Sequence, residues 1–396
     1  MMLAAMSACL GFAMNAHNSI VTNYFNDVLA FSEPQFGYIT AIREIGGLVL
    51  IFLTALLYRV SLQKVTAGAM VVLAIGYAFF SVATSFVSVI PWVLIASFGF
   101  HTVLQTQTAL GMSLTTQERS GAILGRMAAF TQAGTLVAYV MIFLTFLLAG
   151  HPPYQSTFII LGAVAFLGAI AIWRFPHLHE GELRAVAPKR ERIVFKREYR
   201  YYYLLNLFDG ARQQIFFSFG LMVLVRQFGF SVTHMVLLLM VATFVTMASS
   251  SRLGRLIDRR GERGTLSVVN LFYVFALAGF ALAGGAWVAS FFYVVYALIT
   301  PLSAIGGSTY LRKIAVHEDV ASSLAMGVTI LHATAIVVPV AAGFILNYTG
   351  YKVPFFIACG FALINFAVTL RLDPVKQRSA ARIAVDEAAA AKRLAV

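Results

Sequence analysis

Apolar runs of about twenty residues follow one another almost from end to end of this chain, and about that length of helix, at 1.5 Å per residue, crosses a 30 Å hydrocarbon layer. Turn and charge signals bound them at residues 3–29, 35–58, 65–86, 90–113, 120–148 and 155–174, then 201–225, 232–254, 265–284, 287–311, 320–346 and 353–371. This pattern predicts an all-α membrane protein of twelve spans in two groups of six. With 60% hydrophobic and 11% charged residues, the composition is far from that of a soluble domain. Residues 1–14 imitate the apolar part of a signal peptide. They lack a basic leader and run without a break into Asn15, His17 and Asn18, so they read as the start of the first span.

One long interruption, residues 175–200, is rich in Glu, Lys, Arg and Pro and reads as a solvated linker. The expected organisation is therefore an N-terminal bundle 1–174, a linker 175–200, a C-terminal bundle 201–373 and a loose Ala-rich helical tail 374–396. Of the 29 Lys and Arg, counting those at run ends with the adjoining loops, 24 fall on the linker face, two (Arg226 and Lys352) opposite, and three (Arg43, Arg126 and Arg212) well inside apolar runs. Positive loops stay cytoplasmic, so both termini and the linker are predicted to be cytoplasmic, in a plasma membrane of the bacterial inner-membrane kind. The formal charge of +13 then meets lipid headgroups and not nucleic acid. Cys9 and Cys359 both lie in apolar runs, which excludes a disulfide framework or a cysteine-based metal site.

The two halves echo each other at an offset near 200 residues. Phe31-Ser32 recurs as Phe230-Ser231, Trp92 as Trp287, and Gly125 as Gly327. Duplication of a unit with an even number of spans gives repeats of parallel topology.

The loop Gly254-Arg255-Leu256-Ile257-Asp258-Arg259-Arg260-Gly261-Glu262-Arg263 joins the eighth and ninth expected spans. On charge alone it is a basic cytoplasmic turn. Its spacing also resembles the G-x-x-x-D-R-x-G-x-R loop of the major facilitator superfamily, matched by Gly254, Asp258, Arg259, Gly261 and Arg263. With the span count and basic linker, the resemblance extends over nearly the whole chain. It implies two pseudo-symmetric six-helix bundles that expose a central site to each side in turn, with this loop gating the cytoplasmic mouth; Arg126, two turns into the fifth span, snorkels to the cytoplasmic surface or clamps the same mouth. Two departures stand out. The first-half copy of the loop, Thr54 to Gln63, has Tyr58 where the acid belongs, and the fifth span has Gly121, Gly125 and Gly134 but no antiporter-type proline.

A charge in hydrocarbon costs about 2.5 to 3.5 kcal/mol on insertion scales, so those inside spans need a reason. Away from the span ends, Glu44 and Asp209 are the two acids placed there, against Arg43, Arg126 and Arg212. Asp209 and Arg212, at i and i+3, are neighbours on one helix face and can satisfy each other. Gln213 and Gln214 beside them suit a wet cavity better. Arg43 and Glu44 are adjacent and point about 100° apart. His17, His101 and His332 fall near the midplane, with Asn18 and Gln105 close by in sequence. Each histidine is a packing residue, a titrating group or a metal ligand, the last without supporting spacing.

The resemblance implies a monomeric secondary transporter, not an enzyme, carrying a small solute without a cofactor or bound metal. Three buried arginines against two acids make that solute anionic. Arg212, Arg43, Gln213, His17, Asn18, His101, Gln105 and His332 are the expected contacts, Arg212 foremost, and Glu44 and Asp209 are the candidates for carrying a coupling proton. The alternatives are a drug or metabolite exporter, a divalent-metal transporter, and a transporter-like receptor or scaffold that binds without turnover. Neither a phosphate-binding glycine loop nor a hydrolase motif is present.

Overall fold

The computed structural model describes residues 1–56, 60–113, 120–175 and 195–394, with the side chains of 48–56, 120–122, 250–259, 321 and 388–394 set aside. Every regular element among them is helical. They are α1 (Met2–Asp27), α2 (Glu33–Leu56), α3 (Leu62–Phe79), α4 (Phe86–Ser113), α5 (Ser120–Leu148), α6 (Tyr154–Trp173), α7 (Arg200–Phe228), α8 (Val232–Ala281), α9 (Ala286–Ile314), α10 (His317–Thr349), α11 (Lys352–Leu370) and α12 (Ala380–Leu394). Two expected runs, 232–254 and 265–284, both lie in α8. Gly261, at φ 70° and ψ 168°, breaks its helical course, a backbone state that glycine enters without steric cost. Nine helical stretches among the described residues are long and apolar enough to cross a membrane. The polar α1 and α7 are not among them.

Two compact units make up the chain: Met1–Pro188 with Leu221–Met240, and Lys189–Gly220 with Val241–Val396. In the first, α1 packs on α5 and α6, α3 on α4 and α6, and α2 on α4. Lipid removes the hydrophobic drive between helices, so contact depends on small residues that let backbones approach. A Cβ on Gly11 would strike the carbonyl of Thr131, and one on Gly134 would strike that of Ala8. Asn15 ties the crossing by donating to the Thr135 hydroxyl at 2.9 Å and the Gly11 carbonyl at 3.1 Å.

The sequence echo at Phe31 and Phe230 is reproduced in backbone geometry within this unit. Ala30 and Gly229 both take positive φ, 49° and 66°. The Phe31 amide donates to the Phe25 carbonyl at 2.9 Å and that of Phe230 to Leu224 at 3.0 Å; α2 and α8 then open with Phe36 bonded to Ser32 and Met235 to Ser231. Every one of these pairs is 199 residues apart, as 230 − 31 gives.

In the second unit Tyr199, Tyr202, Tyr203 and Leu205 at the start of α7 form a core with Leu266, Tyr310, Leu311, Ile314 and Leu372. The same end anchors chain on both sides of it. Lys196 and the Tyr199 hydroxyl donate to Asp319 at 2.5 and 2.7 Å. Gln377 accepts from the Tyr310 hydroxyl and the Asp373 amide, while the Ser379 amide reaches the Ile314 carbonyl. The tail, expected to be loose, is thus fastened through residue 379 before α12 begins.

Candidate functional site

In the first unit the polar candidates come from α1, α2 and α4. His17 stacks on Tyr77 with centroids 4.4 Å apart and planes 15° from parallel, and sets its edge against Phe80 at 4.8 Å. Among the described residues its buried Nε2 has no hydrogen-bond partner. Asn18, the next residue on α1, is exposed. Arg43 meets Glu44 at 3.3 Å, a long contact for an ion pair, with the guanidinium side chain 49% exposed and the acid 11%. The Ser97 hydroxyl of α4 donates to the Arg43 carbonyl, which fixes this turn of α2 against α4. On α4, His101 is half-buried, edge-on to Phe100 at 5.2 Å, and Gln105 is exposed. Tyr77 and Phe80 are themselves buried, so His17 sits in an aromatic packing cluster while Arg43 remains half-exposed.

The second unit treats its arginine differently. Arg212 is fully enclosed. Its Nη2 donates to Asp209 at 2.5 Å, its Nη1 donates to the Tyr296 hydroxyl, and its Cζ lies 3.3 Å from the centre of the Tyr273 ring. Phe216 closes the far side, stacked on Tyr296 at 3.6 Å. The Asp209–Arg212 spacing is thus realised as an ion pair inside an aromatic cage, and Asp209, 18% exposed, is its outward-facing member. Paired and stacked in this way, the cation offsets much of a desolvation penalty of several kcal/mol. Gln213 and His332 are half-buried.

Around the gating motif, the side chains of Gly254, Asp258 and Arg259 lie outside the described residues. Gly261 forms the break in α8, Arg263 is exposed, and the neighbouring Glu262 is buried against Lys313 of α9 at 2.7 Å. Arg126 is exposed near the start of α5. Among the described residues no three His, Cys, Asp or Glu come together as a metal site.

Sequence reasoning did not single out Tyr273 and Tyr296, because an aromatic in an apolar run carries no mark of the cation it covers. It also passed over Arg226 except as one of two cations on the far face. In the structure Arg226 pairs with Glu33 at 2.7 Å and donates to Asn26 at 2.9 Å.

The sequence profile described as Major Facilitator Superfamily matches residues 2–311. No curated protein matches the sequence. Among solved structures, the nucleoside transporter NupG superposes with a TM-score of 0.78 at 16% identity, over 94% of this chain and 99% of that one. A bacterial homolog to the human lysosomal transporter Spinster, in an inward-facing and occupied conformation, gives 0.75 at 16% identity, over 96% and 97%. The D-xylose-proton symporter gives 0.73 at 13% identity, over 95% and 98%.

Proposed function

The chain belongs to the Major Facilitator Superfamily, and on that premise we propose that it is a twelve-span, proton-coupled secondary transporter that moves a small anionic organic solute by alternating access. In this reading residues 1–174 and 201–373 are the two bundles, 175–200 is a cytoplasmic linker, both termini are cytoplasmic, and the protein works as a monomer in a bacterial inner membrane. At 13 to 16% identity the neighbouring transporters lend their fold and not their solutes. The solute class rests on the chain's own residues.

The observation that carries the reading is the contrast between the two intramembrane arginines. Arg43 is half-exposed with one long contact to Glu44, whereas Arg212 has Asp209, Tyr296 and Tyr273 around it. A cation enclosed on every side offers a solute no open face, even though its Nε–H has no partner among the described residues; one that is half-exposed can be reached. Arg43 is accordingly the anion contact. His17, Asn18, His101 and Gln105 shape and hydrate its surroundings within the first unit; Gln213 and His332 are the second unit's own candidate contacts. Arg212 acts through its partners by orienting Asp209. Asp209, with one oxygen engaged, and Glu44, beside the open arginine, are the proton carriers. Gly254, Asp258, Arg259, Gly261, Arg263 and Arg126 gate the cytoplasmic mouth.

The test uses purified protein in liposomes, with uptake of organic anions, sugars and nucleosides measured with and without an imposed pH gradient. Anion uptake lost in Arg43→Ala and partly kept in Arg43→Lys is the expected result. Uptake indifferent to the gradient, and to Glu44→Gln and Asp209→Asn, would leave a facilitator.

A further inference from the structure

Among the described residues Arg226 is a highly connected cation, and neither the motif nor the solute site uses it. Its guanidinium donates through Nε to Asn26 Oδ1 at 2.9 Å, through Nη1 to Glu33 Oε1 at 2.7 Å and through Nη2 to the Phe31 carbonyl, and its Cζ lies 5.2 Å from the Phe36 ring. One side chain near the end of α7 thus holds the last turn of α1, the turn that follows it and the first turn of α2. Behind it, Asn26 donates to Asp27 at 2.9 Å, and Asp27 accepts from the Tyr154 hydroxyl of α6 at 2.7 Å. From the other direction Asn23 of α1, almost fully buried, donates to the Phe230 carbonyl at 2.8 Å.

The two carbonyls are equivalent positions of the repeat. Each follows a positive-φ residue, Ala30 or Gly229, and each precedes the serine whose carbonyl is the first used by the next helix. The turn therefore leaves one unused acceptor at the same place in both halves. Each half supplies a donor, Asn23 or Arg226, to the acceptor of the other. This cross-strapping explains why Leu221–Met240 folds with the first unit although it continues helices of the second.

We propose that Asn23, Arg226 and the two phenylalanine turns form a reciprocal clasp that shuts the mouth on the side opposite the linker and tail, and that releasing it is the step that admits solute from that side. The clasp is specific to backbone carbonyls and to Glu33, so it engages at one relative position of the two turns and is lost once they separate by more than hydrogen-bond length. The inference is independent of which solute the protein carries.

The test is labelling of a reporter cysteine from the far side. In full-length protein with Cys9→Ser and Cys359→Ser, Asn18→Cys on α1 is exposed to a membrane-impermeant maleimide added outside intact cells. With the clasp intact labelling is slow. Arg226→Ala and Asn23→Ala are each expected to speed it about tenfold, the loss of charge-assisted or buried hydrogen bonds from the closed state, and Glu33→Gln by less. Leu73→Cys, fully buried between helices, reports general loosening. Unchanged labelling of Asn18→Cys in both alanine variants overturns the proposal, as does a rise matched at Leu73→Cys. Should Arg226→Ala fail to fold, Asn23→Ala and Glu33→Gln decide the matter by the same criterion. Loss of anion uptake in Arg43→Ala, or its retention, bears on the solute reading and leaves this result untouched.

Discussion

Replacing Arg212 by alanine should damage the fold more than it damages recognition, and replacing Arg43 should do the reverse. The Arg212 guanidinium is fully enclosed, so its removal strands Asp209 at 18% exposure and leaves the Tyr296 hydroxyl without its donor beside a void under Tyr273. Breaking a buried pair by deleting one partner costs about 3–5 kcal/mol. Asp209 keeps some contact with solvent, which favours the lower end, about 3 kcal/mol. For a cooperative unit of roughly two hundred residues, 1 kcal/mol moves the melting temperature by about 2–4 °C, so the expected drop is roughly 6–12 °C. Arg43, with its side chain 49% exposed and a 3.3 Å contact, contributes about 1 kcal/mol or less to stability, and Arg43→Ala should melt within a few degrees of wild type. The assay is a thermal melt of detergent-purified protein by tryptophan fluorescence, run beside uptake in liposomes. Arg212→Ala melting with wild type, or Arg43→Ala transporting normally, would refute the reasoning.

Four further outcomes follow from the same geometry. Tyr296→Phe, which removes the hydroxyl and keeps the ring, should cost about 1–2 kcal/mol, seen as a smaller drop in melting temperature than that of Arg212→Ala. Gly11→Ala sets a methyl against the backbone of Thr131, which cannot swing aside, and should destabilise by about 1–3 kcal/mol; Gly125→Ala, with open space around it, should be nearly silent in the same melt. Ala30→Gly should relieve the strain of a non-glycine residue at φ 49°, by up to about 1 kcal/mol after the greater freedom of the unfolded chain is counted, whereas Gly229→Ala should cost about that much. Gln377→Ala removes three hydrogen bonds that fasten the tail and should speed limited proteolysis after residue 373 while leaving uptake intact.

Much of the fold was legible because span length and loop charge are strong, local signals. The segment from Phe31 to Ser32 and its echo at Phe230 to Ser231 were read from two identities and reappear as the same turn, hydrogen bond for hydrogen bond. The site was less legible. An Asp and an Arg at i and i+3 predicted a pair, yet nothing local showed that Tyr273 and Tyr296, 61 and 84 residues beyond Arg212 (273 − 212 and 296 − 212), would enclose it. Burial depends on tertiary partners, so the sequence ranked Arg212 above Arg43 as a solute contact, whereas the structure encloses Arg212 and leaves Arg43 half-exposed. Arg226 was invisible for the opposite reason, since a cation in a loop normally needs no partner, and its acceptors include a backbone carbonyl.

The central claim, transport of an anion through Arg43, is tested most directly by current recordings from reconstituted liposomes on a solid support, challenged in turn with organic anions, sugars and nucleosides under a fixed pH gradient. The account predicts a transient current on an organic-anion jump that disappears in Arg43→Ala and persists, on a protein of lowered stability, in Arg212→Ala. A current evoked by neutral solutes alone and undiminished in Arg43→Ala would contradict it.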